Sequence, residues 1–234
     1  MSAENLPSPY HEGKILLLDK PLGWTSFDLV NKVRNSIRRK YNLKGKGIKV
    51  GHAGTLDPLA TGLMIICTGR MTKQIDQFSG LDKAYSGTIV LGASTPSFDL
   101  EKEIDTRYPT EHITEDAVRE TVRQFLGWQD QVPPLFSAKK IDGKRAYEFA
   151  RKGEEVEIKT ARIEIKSFEV TRIEMPEVDF IIHCSKGTYI RSIARDFGLA
   201  LDSGAYLTNL RRTSIGKMDI KEAADVQEFL RLLQ

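Results

Sequence analysis

The chain has 234 residues, 40% of them hydrophobic and 29% charged, the make-up of a soluble globular protein large enough for one domain with a sizeable insertion. Its longest apolar runs, residues 15–18 and 63–67, fall far short of the ~20 residues a membrane span needs, and a polar start with Glu4 and no cationic or apolar segment is not a signal peptide. The net charge of +3 decides nothing, but two cysteines, Cys67 and Cys184, exclude a disulfide scaffold and point to a reducing cytoplasm, and the four histidines show no paired-ligand spacing for zinc.

Residues 14–18 form the first expected strand. Thr25 or Ser26 then caps a helix in which Leu29, Val30, Val33 and Ile37 share one face. The glycine- and lysine-rich residues 44–49 make a loop. Residues 63–68 and 84–91 read as strands, the second alternating at Tyr85, Ile89 and Leu91 around Gly87. Residues 93–109 have no period and are expected as an extended surface segment. Ala117, Val118, Thr121, Val122 and Phe125 recur at helical spacing. Residues 131–153, rich in proline, lysine and aromatics, are taken as an exposed insertion. Residues 155–166 alternate apolar and charged side chains as a half-solvated strand or hairpin, and 168–173 and 178–184 are further strands. Thr188 caps a helix with Ile190, Ile193, Ala194, Phe197 and Leu201 inward. Residues 206–212 are a strand and 226–233 a short terminal helix. With no repeat or linker in view, the expectation is a single domain over 1–234, of α+β class, with a mainly antiparallel mixed sheet and flanking helices.

Charge is spread unevenly. No acid lies between Asp28 and Asp57, a stretch that holds Lys32, Arg34, Arg38, Arg39, Lys40, Lys44, Lys46 and Lys49. Further basic segments lie at 139–152 and 186–217, whereas acids gather between Asp99 and Glu120. One such run is ordinarily a solvated helix face. Three, interleaved with glycines and aromatics, point toward nucleic acid.

Cofactor signatures are absent. There is no P-loop, Gly45, Gly47 and Gly51 miss the dinucleotide spacing, and no G-x-S-x-G elbow occurs. No cofactor is therefore expected, and an enzyme here works with side chains alone. The unusual segment is G-H-A-G-T-L-D-P-L-A-T-G at residues 51–62. Pro58 biases Asp57 away from the helical region and fixes the next φ, so the carboxylate stands at a rigid corner. The competing reading is a helix N-cap with proline at the first position. His52, taken alone, reads as a structural hydrogen-bonding residue.

This segment resembles the catalytic motif of the TruB family of pseudouridine synthases. Upstream, Lys20-Pro21-Leu22-Gly23-Trp24-Thr25-Ser26 is similar to the family's opening K-P-x-G-x-[ST]-S, and Asp82-Lys83-Ala84-Tyr85 to its K-x-Y strand. Residues 133–140 (P-P-L-F-S-A-K-K) and 143–147 (G-K-R-A-Y) resemble the family's insertion. Residues 183–191 (H-C-S-K-G-T-Y-I-R) resemble its late arginine motif, and Leu210-Arg211-Arg212 its closing strand. The blocks recur in family order from about Leu16 to Arg212, and the T-L-D wording differs from the R-L-D common in ribosomal-RNA synthases.

The resemblance implies the pseudouridine synthase catalytic fold and the isomerisation of a uridine in the T loop of tRNA, position 55 in standard tRNA numbering. It implies that Asp57 is the essential carboxylate, attacking C1′ or removing a C2′ proton, and that Arg191 is the guanidinium that keeps it ionised. Tyr85 then stacks on the base and is a candidate for moving the C5 proton. Tyr189 and Leu210 line the uridine pocket, and His52 supports the flipped-out nucleotide. Without the resemblance, Arg191 reads as a solvated helix residue and Tyr85, Tyr189 and Leu210 as ordinary core. Lys20 and Pro21 support the architecture of the site, and Lys73 contacts a phosphate. Residues 131–153 cover the RNA loop, with Lys139 and Tyr147 there, and Lys186 beyond, serving phosphate contacts and stacking.

The implied partner is tRNA, held through its T arm with steep salt dependence. No metal, membrane or protein partner is expected, and the protein is expected to be a cytoplasmic monomer. Many family members continue into a PUA domain. The 22 residues after Arg212 are too few for one, so affinity is expected to rest on the T arm alone. A non-catalytic RNA-binding protein and an enzyme for another RNA are the rival readings. Asp57, Tyr85 and Arg191 together favour catalysis, since binding alone gains nothing from a carboxylate placed beside phosphates.

Overall fold

A computed structural model describes residues 8–44, 47–136, 140–141, 144–145 and 159–233. The chain folds as two compact units, one of Met1–Lys83 with Arg211–Gln234 and the other of Ala84–Leu210.

In the first unit the strand Ile15–Lys20 runs antiparallel to Ala60–Thr68, with Ile15 opposite Cys67 and Lys20 opposite Gly62. The strand Val50–Ala53 pairs with the far end of Ala60–Thr68, placing His52 opposite Ile66. The strand Ala205–Ile215 runs, at Arg212, against Gly62 of its hydrogen-bonded neighbour Ala60–Thr68. That central strand is buried on both faces, as its uninterrupted apolar run requires. Ala53, Leu63, Ile65, Cys67 and Ile215 form the core on one side, with Leu17, Met71, Ile75 and Phe78 packed against it. The helix Ser26–Lys40 buries Leu29, Val30, Val33 and Ile37, the stripe expected from their spacing, and together these contribute about 8 kcal/mol of burial. Its N-cap is Thr25, whose hydroxyl accepts the Asp28 N–H while the Asp28 carboxylate accepts the Thr25 N–H.

In the second unit the order of hydrogen-bonded strands is residues 205–210, Lys83–Leu91 from Ala84 onward, Glu177–Cys184, Ala161–Glu174 and Gly127–Gln131. The helices Glu115–Arg123 and Ile190–Ala200 contribute Val118, Val122, Ile193 and Phe197 to the buried core. Phe125, Phe168, Phe180 and Phe197 meet there edge-on or tilted, with ring centres 5.7–6.1 Å apart. The α+β class with mainly antiparallel pairing is thus present.

Several expectations are corrected. Residues 161–166 and 168–173 do not form separate elements: Ala161–Glu174 is one strand, broken in register only by irregularities near Ile165 and Val170, while 155–158 lie outside the described residues. Residues 93–109 are a surface segment only from Leu100 onward: before it Ala93, Thr95, Ser97 and Asp99 alternate inward, and the short strands Ala93–Ser94 and Thr106–Arg107 pair. Thr188 is not a helix cap. Its hydroxyl donates to the Ser185 carbonyl, closing a turn, and the N-cap position of Ile190–Ala200 falls on Tyr189. The insertion 131–153 begins inside the protein, with Gln131, Pro133 and Pro134 buried. Further on, Lys140–Ile141 pairs with Lys144–Arg145. Among the described residues no helix is long and apolar enough to cross a membrane.

Candidate active site

The rigid corner at Asp57 is a reverse turn. The Ala60 N–H donates to the Asp57 carbonyl at 3.1 Å, with Pro58 and Leu59 at the bend and the strand Ala60–Thr68 following directly. The helix-cap reading is therefore overturned, since no helix starts here. Proline at the second turn position supplies the fixed φ that this turn prefers.

Neighbouring groups hold the residues on both sides of the carboxylate. Ser26 Oγ accepts the Leu56 N–H at 2.8 Å and donates to the Leu56 carbonyl at 3.0 Å. Arg212, 1% exposed, donates through Nη2 to the Gly54 carbonyl at 3.1 Å, through Nη1 to Thr55 at 3.5 Å and through Nε to Leu63 at 2.8 Å. Lys20 is fully buried, and its Nζ donates to the carbonyls of Trp24 at 2.6 Å, Pro21 at 3.0 Å and Pro58 at 3.5 Å. Burial lowers the Lys20 pKa to about 8. Asp57, Asp28 and Asp19 pull it back up, and Arg212 pushes it down. The Asp57 charge is thus felt at Lys20. Arg211 points the other way and forks onto Asp19 at 2.6 and 3.1 Å.

His52 lies half-buried on Val50–Ala53. Burial lowers its pKa, the Gly54 backbone opposes that, and Arg212 adds to the lowering, so at neutral pH the imidazole is the uncharged form. Arg34 steadies this strand by donating to the Val50 carbonyl at 3.0 Å.

The second unit carries Tyr85, Tyr189, Arg191 and Leu210. Tyr85 sits on Lys83–Leu91, 8% exposed. The neighbouring strand passes so closely that a Cβ on Gly87 would lie 2.4 Å from the Asn209 carbonyl, which brings half-buried Leu210 alongside the Tyr85 end of the strand. Tyr189 is held by a side-chain amide acting as a strand: Gln131 Oε1 accepts the Tyr189 N–H at 2.8 Å, and Gln131 Nε2 donates to the Tyr189 carbonyl at 3.1 Å. Arg191 is not a solvated helix residue but is 3% exposed. Its Nη1 donates to Ser97 at 3.1 Å and Nη2 to Phe136 at 2.8 Å, and Nε lies 3.6 Å from the Asp99 carboxylate. Phe98, between these two anchors, adopts φ +63°, a costly left-handed conformation for an aromatic residue.

Lys73, on the 3₁₀ turn Gly69–Gln74, and Lys186 are both exposed. Lys139 and Tyr147 lie outside the residues whose side chains are described. Ser26, Gln131, Asp99 and Arg212 were not among the expected site residues. For Arg212 a signal existed, since an arginine beside Leu210 in the closing motif must put either itself or Arg211 inward on a strand. Among the described residues no group of three or more His, Cys, Asp or Glu could hold a metal.

The family model described as TruB family pseudouridylate synthase (N terminal domain) matches residues 38–190. A tRNA pseudouridine synthase B of Flavobacterium johnsoniae is 57% identical over 228 residues, 97% of this chain and 99% of that protein. The protein of the same name from Phocaeicola vulgatus is 56% identical over 220 residues, 94% of this chain and 93% of its own length. Among solved structures, one described as a Cbf5-Nop10-Gar1 complex gives a TM-score of 0.69 at 25% identity, covering 95% of this chain and 54% of the matched one.

Proposed function

The chain belongs to the TruB family of pseudouridylate synthases, and on that footing we propose that it isomerises a T-loop uridine of tRNA, position 55 in standard numbering, with Asp57 as the essential carboxylate. The observation that carries this reading is the likeness, end to end, to proteins named tRNA pseudouridine synthase B. The clamped turn supports the choice of Asp57, because a carboxylate held by neighbours on both sides suits a reaction that needs one oxygen at one sugar carbon.

The target nucleotide leaves its stack, at a cost of a few kcal/mol, and presents C1′ to Asp57. The carboxylate attacks C1′ or removes the C2′ proton, and both routes need its ionised form. The N1–C1′ bond breaks with its electron pair going to N1, the uracil turns over, and C5 bonds to C1′, displacing the Asp57 carboxylate on the first route or with the proton returned from Asp57 to C2′ on the second. C5 then loses its proton and N1 gains one, so nothing is oxidised or hydrolysed. Arg191 and the Lys20 ammonium favour the ionised carboxylate. Tyr85 stacks on the base and moves the C5 proton, Tyr189 and Leu210 line the uracil, and His52, uncharged, occupies space beside the vacated stack. Lys73, Lys139, Lys186 and Tyr147 meet phosphates and unpaired bases.

The test is tritium release from C5-labelled uridine in a T-arm hairpin RNA. Release matched by one new pseudouridine supports the reading, and no release from any tRNA substrate defeats it.

A further inference from the structure

Between Gly54 and Pro58 every backbone carbonyl has a donor: Arg212 on Gly54 and Thr55, Ser26 on Leu56, the Ala60 amide on Asp57, and Lys20 with the Gly23 amide on Pro58. Loops ordinarily leave such groups to water. Here two of the donors are buried cations brought from distant parts of the chain.

We infer that Arg212 is a positioning residue for Asp57, its planar fork fixing the Gly54 and Thr55 carbonyls against the strand Ala60–Thr68 and thereby setting where the carboxylate stands. The inference rests on Asp57 being the essential carboxylate. Three observations favour this over a packing role. A guanidinium 1% exposed is costly to bury, and a methionine would fill much the same volume without that cost. Its three donors are divided between the loop, at 3.1 and 3.5 Å, and the strand after it, at 2.8 Å, so it ties one to the other across the Asp57 turn. The loop also bends at the point of contact: Gly54, whose carbonyl takes Nη2, has φ +88°, a conformation that favours glycine, although a Cβ there would meet Arg212 Nη1 only at an ordinary contact distance of 3.4 Å. Only arginine presents donors in a fixed fork wide enough for this arrangement, and lysine presents a single point charge.

Arg212 is also electrically coupled to Lys20 on the other flank of the turn. The charged groups acting on Lys20 are Asp57, Arg212, Asp28 and Asp19, and Arg212 is the one cation among them. Its removal therefore raises the pH at which Lys20 loses its proton.

The experiment compares wild type, Arg212→Met and Arg212→Lys for kcat and KM on a T-arm hairpin RNA, for RNA binding by fluorescence anisotropy, and for thermal unfolding, with kcat followed against pH. Arg212→Met is expected to lose about 100-fold in kcat, the order that misplacing a reacting group by about 1 Å causes, while RNA affinity stays within about threefold, the cost of side-chain changes away from the binding surface. Arg212→Lys is expected to recover only part of the loss. In both, the alkaline limb of kcat should move: upward where the cation is lost, less where lysine replaces it. A folded Arg212→Met with wild-type kcat overturns the inference, as does a loss confined to RNA binding. If Arg212→Met does not fold, Arg212→Lys decides. Wild-type kcat in that variant, or unfolding of it as well, assigns the guanidinium to stability alone. Absence of pseudouridine formation by the wild-type protein strikes the function proposed above and not the clamp.

Discussion

Arg191 and Asp99 bury their charges together, with Nε 3.6 Å from Oδ2 and side chains only 4% and 7% exposed. Nη1 donates to the Ser97 carbonyl and Nη2 to the Phe136 carbonyl, and Asp99 Oδ1 accepts the Glu101 N–H. Removing Asp99 withdraws a buried counter-charge from Arg191. Asp99→Ala is therefore expected to cost about 3 kcal/mol, and Asp99→Asn less, since it keeps an oxygen for Glu101. Urea unfolding measures both. Equal stability of Asp99→Ala and wild type would show that Arg191 does not depend on Asp99 for its anchorage.

Lys20 is expected to set an alkaline boundary on turnover. With its pKa lowered to about 8, chiefly by burial, it is charged below that pH and neutral above it. Its cationic support of the Asp57 turn is then lost, and kcat is expected to fall as pH rises through about 8. Stability runs the other way. Between about 8 and the ordinary lysine value of 10.5 the folded chain binds fewer protons than the unfolded one, so this group's contribution to stability rises with pH. Following kcat and the urea midpoint together from about pH 7 to 10 separates the two. A parallel fall in both would assign the alkaline limb to unfolding.

Two glycines with positive φ should respond differently to alanine. At Gly62, φ +110°, a Cβ would lie 2.3 Å from the Arg212 carbonyl oxygen and 2.7 Å from its nitrogen, and neither backbone atom can move aside cheaply. At Gly23, φ +80°, nothing lies within 4 Å. Gly23→Ala is expected to cost about 1 kcal/mol, the backbone strain alone, and Gly62→Ala about 4 kcal/mol or more. Thermal unfolding compares them, and similar costs would contradict the close approach of these strands.

The hold of Gln131 on Tyr189 is separable from the chemistry. Gln131→Ala takes the Oε1 acceptor from the Tyr189 N–H, while the Tyr189 carbonyl keeps the Ile193 N–H at 3.2 Å, and is expected to cost about 1 kcal/mol. Because Tyr189 is assigned to the uridine pocket, KM for the hairpin should rise more than kcat falls. An unchanged KM would detach Tyr189 from substrate binding.

The elements legible in the sequence are those whose burial is written in apolar residues at one period. The helix Ser26–Lys40, the inward face of Ile190–Ala200 and the strands Ala60–Thr68 and Lys83–Leu91 are of this kind. Residues 93–99 carry no such pattern, because the side chains they turn inward include Thr95, Ser97 and Asp99. The Thr95 and Ser97 hydroxyls donate to the Asp99 carbonyl, so burial there leaves no hydrophobic signature. Val50–Ala53 was missed because a strand of valine, glycine, histidine and alanine carries no alternation. The carboxylate of the motif at 51–62 stood out, but not what holds it. Arg212 and Lys20 grip main-chain carbonyls, which every residue possesses, so no side-chain pattern marks the partners.

The role of Asp57 is tested most directly by Asp57→Asn, which keeps the size and shape of the side chain and removes its charge. The variant should bind T-arm RNA with an affinity within about threefold of wild type while tritium release from C5-labelled uridine becomes undetectable. Pseudouridine formation by Asp57→Asn at a rate near wild type would contradict the account.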